Sequence, residues 1–414
     1  MRPSIDRLKR DMEELSLIGR NDEGGIDRAA LSPANVEARS MVMGIMDELG
    51  LSIMVDAVGN IRGRKPGRNP SAPAVMTGSH LDSVPNGGNF DGPLGVLTPL
   101  EALRTMKDAG IEMEHPIEVV VFTGEEGSRF GKGTLGSSVM SGGLDIEEAY
   151  KLVDAQGITL QKALDAVEVR GKPQDVVLES EAVKSFVELH IEQGAKLEEA
   201  GIPIGIVEVI SGLACFRVTA TGRADHAGAT PMNMRLDPLV AAAEMILAIN
   251  RIAREDASGT LVATVGKLTV QPGAFNVVPA EVVFGIDVRD PSREVMGRAI
   301  NEIKAAINRI ASAHGVKVEV EELEKVMPTP LSPTIIETIA GSCDKLGIKA
   351  MRMYSGAIHD TSHMAEVTQA GMVFVPSAGG KSHSPLEFTP WEKIAVGLDV
   401  LFDVLLTLAG QVSR

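Results

Sequence analysis

The stretch GSHLDSVPNGGNFDGPLGV at 78–96 places His80, Asp82 and Asp91 in one Gly-rich segment after the apolar run Ala74–Val75–Met76. Two further acids, Glu125 and Glu126, follow the β-branched run at 117–122, and His190 closes the run at 185–189. With His383 in a late loop, His80, Asp91, Glu126, His190 and His383 form a set of imidazoles and carboxylates without thiolates. Such a set suits zinc, manganese, cobalt or nickel in a hydrolytic rather than a structural site. Adjacent acids at a strand end can divide the work, one holding metal while the other stays free as a general base. Each residue alone also has a plainer reading: a solvated charged turn at Glu125 and Glu126, or a buried histidine satisfied by backbone at His190.

Such residues need strand ends to present them. Up to about Ser211 helical and strand patterns alternate, which predicts an α/β domain with a mixed central sheet flanked by helices. Within it 74–76 reads as a short buried strand, 94–108 as a helix with Asp91 near its start, and 117–122 as an interior strand. His80 and Asp82 would share a face if the first strand ran on. From Gly212 the order becomes βαββαβ, the pattern of an inserted two-layer unit. The expected division is therefore 1–211 and 328–414 for the larger domain, which carries the candidate ligands, with 212–327 as the inserted unit.

Composition narrows the function classes. The 414 residues exceed one ordinary core, and 44% hydrophobic with 23% charged residues is a globular balance. A net charge of −16 argues against nucleic acid and anionic membrane as partners, since either would need a basic surface. Two cysteines, Cys215 and Cys343, are too few for a disulfide framework and point to a reducing compartment. The amino-terminal segment lacks the apolar core of a signal peptide, and no run reaches the roughly 18 apolar residues of a membrane span. A cytoplasmic protein is expected. Two nucleotide-like patterns fail on context: Gly131, Gly133 and Gly136 follow an acidic turn, and Val375 stands where a P-loop starts with Gly.

The motifs at 78–96, FTGEEGSRFG at 122–131, ELHIEQG at 188–194, DHAGATPM at 225–232 and SHSPLEF at 382–388 resemble, in order and over nearly the whole chain, the hydantoinase/carbamoylase family of metal-dependent amidohydrolases, relatives of the co-catalytic zinc aminoacylases and dipeptidases. The resemblance implies two divalent ions per subunit, zinc first, with manganese, cobalt or nickel as alternatives. Asp91 would bridge them, His80 and His190 completing one position and Glu126 and His383 the other. Asp82 would orient the His80 imidazole, and Glu125 would carry the proton from water to the leaving nitrogen. His226 would stabilise the oxyanion, often from a partner subunit, and Gln193, Asn276 and Arg289 would bind substrate, with Arg289 gripping a carboxylate.

The implied activity is hydrolysis of the ureido C–N bond of N-carbamoyl-L-amino acids by a homodimer. Hydrolysis of allantoate, of a β-ureido acid or of a simple N-acyl amide are the alternatives, as is a non-catalytic binding protein. The family commonly shows GAGHD where this chain has Gly356–Ala357–Ile358–His359–Asp360, which leaves the substrate open. His359 and His363 receive no role beyond support.

Overall fold

The computed structural model describes residues 2–179 and 181–412. The chain divides into two compact units: Met1–Glu208, Pro330–Met353 and His359–Arg414 form the first, Val209–Thr329 and Tyr354–Ile358 the second.

The first unit is built on a mixed sheet. Strand Ala74–His80 lies between Ile117–Phe122 and Val183–Ile191, parallel to both, and Gln369–Val375 runs parallel to Val183–Ile191 on its other side. The hairpin Ser52–Val55 and Ile61–Lys65 extends one edge, antiparallel to Ile117–Phe122. Ile204–Ile210 continues the sheet on the other side of Gln369–Val375, antiparallel. Ala74–His80 and Ile117–Phe122 are buried at every position. Their apolar stretches, Ala74–Met76 and Val119–Phe122, fit strands covered by helices on both faces. Glu118, charged within such a strand, is paired with Arg62 and Arg64. Helix Pro93–Ala109, nearly all buried, packs on the two central strands and on helix Trp391–Ala409.

Because parallel strands all point one way, Ala74–His80, Ile117–Phe122 and Val183–Ile191 end at the same edge. His80, the acidic turn after Phe122, and His190 are therefore neighbours. The first strand stops at His80, so Asp82 lies beyond it rather than on a shared strand face.

In the second unit, a four-stranded antiparallel sheet runs in the order Lys317–Val326, Gly212–Thr221, Glu281–Asp290, Val262–Gln271. Strict alternation of burial along Glu281–Asp290 shows one face buried and one more open. Helices Pro238–Glu255 and Arg293–His314 cover the buried face, with Met245, Ile303 and Ile307 packed on Phe216 and Phe284. This is the βαββαβ order read from sequence. The strap Tyr354–Ile358 belongs to this unit as well, although the expected division placed it in the larger domain. Ser211 N–H donates to Ser355 O at 2.9 Å, and Arg289 Nη1 to Gly356 O at 3.2 Å, and these bonds hold it there.

Candidate metal centre and acidic turn

His80 terminates its strand with 1% exposure, and its Nδ1 meets the main-chain carbonyl of Asp82 at 3.0 Å. His190, equally buried, directs Nδ1 to Ile191 O at 3.0 Å. A proton on each Nδ1 leaves each Nε2 as a lone pair. Those nitrogens face one oxygen: Asp91 Oδ1 stands 3.5 Å from His80 Nε2 and 3.2 Å from His190 Nε2. The other oxygen, Asp91 Oδ2, lies 3.4 Å from His383 Nε2, which is also 3.4 Å from Glu126 Oε2. Two donor groups result, His80–Asp91–His190 and Asp91–Glu126–His383, each with ligand atoms within 4.8 Å of one another. Lone pairs aimed at a carboxylate repel unless a proton or a cation lies between them, and nitrogen with oxygen donors fits a divalent transition ion.

Without an ion, protons take that place. Burial alone would lower His80, but the charges of Glu125 and Asp82 and its bond to Asp91 hold it well above the usual imidazole value. Asp91 is held well below the carboxylate range: burial works against this, and hydrogen bonds from His190, His383 and His80 overcome it. The bond to Asp91 pushes His383 up to about 9, against partial burial. Burial and the charge of Asp91 push Glu126 up to about 7.

The acidic pair sits on a turn shaped by Asp82. Its carboxylate accepts the main-chain N–H groups of Gly124 and Glu125 at 3.2 Å through Oδ1, and that of Glu126 at 3.1 Å through Oδ2. The contact expected of Asp82 thus differs in its atoms. Its carbonyl oxygen orients His80, while its carboxylate, 3.8 Å from the ring nitrogen, serves the turn. Glu125 Oε2 approaches His80 Nε2 to 3.7 Å. Burial raises Glu125 well above its usual value; His80 opposes this, and Asp360, Glu126 and Asp91 add to it. Burial thus strengthens the proton affinity of a carboxyl beside the two donor groups.

Gln193, in left-handed backbone at φ 59°, donates from Nε2 to Asp91 Oδ2 at 2.6 Å. Its Oε1 is buried without a hydrogen-bond partner among the described residues. The three remaining candidates lie on the second unit. His226 Nδ1 accepts from Gly228 N at 3.0 Å and Ala229 N at 3.2 Å, so its Nε2 carries the proton as an exposed donor. Asn276 lies beside it, its carbonyl accepting Ala227 N–H at 3.0 Å. Arg289 pairs side-on with Asp287, from Nε at 2.9 Å and Nη2 at 3.1 Å. The fork expected to grip a carboxylate is thus partly engaged, leaving one N–H on each terminal nitrogen.

A supporting layer had no role assigned from sequence. Glu188 accepts Ser79 Oγ at 2.6 Å and Thr361 Oγ1 at 2.5 Å beneath His190. The His359 ring packs edge-on against His190, centroids 4.6 Å apart. Burial and the charge of Glu188 push Asp360 up to about 8. Glu188 stands within ELHIEQG, and His359 with Asp360 within the GAIHD segment, so the quoted motifs contained them without showing what they touch.

Residues 76–407 match the sequence pattern of peptidase family M20/M25/M40, and the chain belongs to that family. It is 43% identical to the N-carbamoyl-L-amino acid amidohydrolase of Geobacillus stearothermophilus, a match covering 98% of each chain. The allantoate amidohydrolase of Bacillus subtilis is 34% identical over 96% of each. The crystal structure of a hydantoinase/carbamoylase family amidase from Burkholderia multivorans superposes with a TM-score of 0.92 at 36% identity, covering 99% of this chain and 98% of that one. No helix among the described residues is long and apolar enough to cross a membrane.

Proposed function

We propose that the protein is a binuclear-metal amidohydrolase that cleaves the ureido C–N bond of N-carbamoyl-L-amino acids, yielding amino acid, carbon dioxide and ammonia. The observation that carries this reading is the pair of imidazole–carboxylate groups sharing Asp91, with Glu125 outside both. His80, His190 and Asp91 would hold one ion, and Asp91, Glu126 and His383 the other, zinc being the first candidate. Bound there, the ions would polarise the ureido carbonyl and acidify an attacking water.

The chain's own residues do the rest. Glu125, its proton affinity raised by burial, takes the proton of the attacking water and returns it to the leaving nitrogen. Gln193 Oε1, buried and without a partner among the described residues, accepts an N–H of the ureido group, which an ester could not supply. His226 Nε2–H serves the oxyanion. Asn276 and the two unengaged N–H groups of Arg289 serve the substrate carboxylate. The second unit would act as lid and dimerisation domain, the enzyme working as a homodimer. The free thiols of Cys215 and Cys343 suit the cytoplasm.

Ammonia release from a panel of carbamoyl amino acids, allantoate and an N-acyl amino acid tests the assignment. Turnover is expected on carbamoyl amino acids first. Faster turnover of allantoate would transfer the assignment to that substrate, and fewer than one ion per chain would remove the catalytic reading.

A further inference from the structure

Glu387 has no part in the roles assigned above, yet it bonds to the main chain of the loop that carries Asp91. Its side chain is 6% exposed. Oε1 accepts the main-chain N–H of Phe90 at 2.8 Å and that of Asp91 at 3.0 Å. Oε2 lies 2.8 Å from Ser382 Oγ, and that hydroxyl also stands 2.8 Å from Asp91 Oδ2. The carboxylate has a fitted seat: a Cβ on Gly88 would lie 2.1 Å from its Oε1 and 2.2 Å from its Cδ. Beside it, the Phe90 and Phe388 rings meet edge-on at 5.8 Å, so the Asp91 loop and the His383 loop dock through both polar and apolar contacts.

The two histidine environments differ. His80 and His190 are buried and braced through Nδ1 by main-chain carbonyls. His383 is 52% exposed and holds left-handed backbone at φ 53°, a conformation that costs a non-glycine residue and persists only where its surroundings impose it. Ser382, its immediate neighbour, is what Glu387 grips.

We propose that Glu387 is a positioning residue that locks the Asp91 loop to the His383 loop, and that it sets the affinity of the Asp91–Glu126–His383 ion position far more than that of the His80–Asp91–His190 position. This rests on the two-ion reading above. A carboxylate accepting two N–H groups and a hydroxyl fixes the direction in which Asp91 Oδ2 and His383 converge. Supports of this kind typically alter metal affinity about 10–100-fold.

Cobalt(II) titration of the ion-free full-length protein, followed by visible absorption and calorimetry, tests the inference. Wild type should take two ions; a single ion would defeat the two-ion reading itself and is distinguishable from failure here. Glu387→Ala should keep one ion at wild-type affinity and bind the other about 10–100-fold more weakly. Glu387→Gln, whose Oε1 still accepts both N–H groups and whose amide can donate to Ser382 Oγ, should restore both. Should Glu387→Ala fail to fold, Ser382→Ala should show the same one-sided loss. Equal affinities for both ions in these variants, an equal weakening of both, or damage by Glu387→Gln matching that by Glu387→Ala would overturn the proposal. A loss of melting temperature with the ratio of the two affinities unchanged would do the same.

Discussion

Asp82 grips Glu125 by its backbone: Oδ1 accepts the Glu125 N–H at 3.2 Å, while the carbonyl of the same Asp82 receives His80 Nδ1 at 3.0 Å. One residue therefore sets both an imidazole of the proposed metal position and the turn that carries the proposed base. Its carboxylate also takes the N–H groups of Gly124 and Glu126, so the acidic pair cannot shift without breaking bonds in a buried place.

Asp82→Asn keeps one acceptor oxygen and replaces the other with a donor facing an N–H. The turn should loosen while the His80 contact, made by backbone, survives. Steady-state kinetics should show kcat lowered about 10–100-fold with both ions still bound by metal analysis. Unchanged kcat would mean that the turn is held without Asp82.

Gly92 lies beneath the His80 ring at φ 84°, and a Cβ there would stand 2.5 Å from ring atoms Cε1 and Nδ1. The ring is buried and has nowhere to retreat. Gly92→Ala should displace it, weakening the His80–Asp91–His190 ion at least about 10-fold and lowering stability by about 1–3 kcal/mol. Calorimetric metal titration with thermal denaturation reads both.

Proton competition gives a pH dependence. In the ion-free protein His383 is pushed up to about 9, so at pH 7 an incoming ion must displace its proton. Affinity for the Asp91–Glu126–His383 ion should rise about tenfold per pH unit from 7 to 9 and level off above. For stability the sign is opposite. A histidine raised in the folded state contributes fully below its unfolded value near 6.5, and that contribution is lost as pH rises through about 9. Melting of ion-free and ion-loaded protein across this range should therefore diverge.

Sequence showed most of what local pattern can encode. The runs ending at His80, at the acidic turn and at His190 were legible because strands buried on both faces are largely apolar. The second unit was legible because its strands and helices change period cleanly. Other strands carried weaker signals: Ala350–Ser355 interleaves Met and Arg without a β-branched residue. His383 follows no strand, so only its motif marked it. Contacts made across the chain left no local trace. Glu387 meets the Asp91 loop nearly three hundred residues away, and the strap Tyr354–Ile358 joins a unit that otherwise ends at Thr329. The choice between the carbonyl and the carboxylate of Asp82 as partner for His80 is set by where the strand stops, which only coordinates reveal.

Glu125 is proposed to move the proton while other side chains hold the ions. Glu125→Gln preserves shape and removes the base. In the purified, metal-reconstituted variant the account predicts two ions per chain and ammonia release from a carbamoyl amino acid reduced by at least about three orders of magnitude. Turnover near the wild-type rate with the same metal content would contradict it.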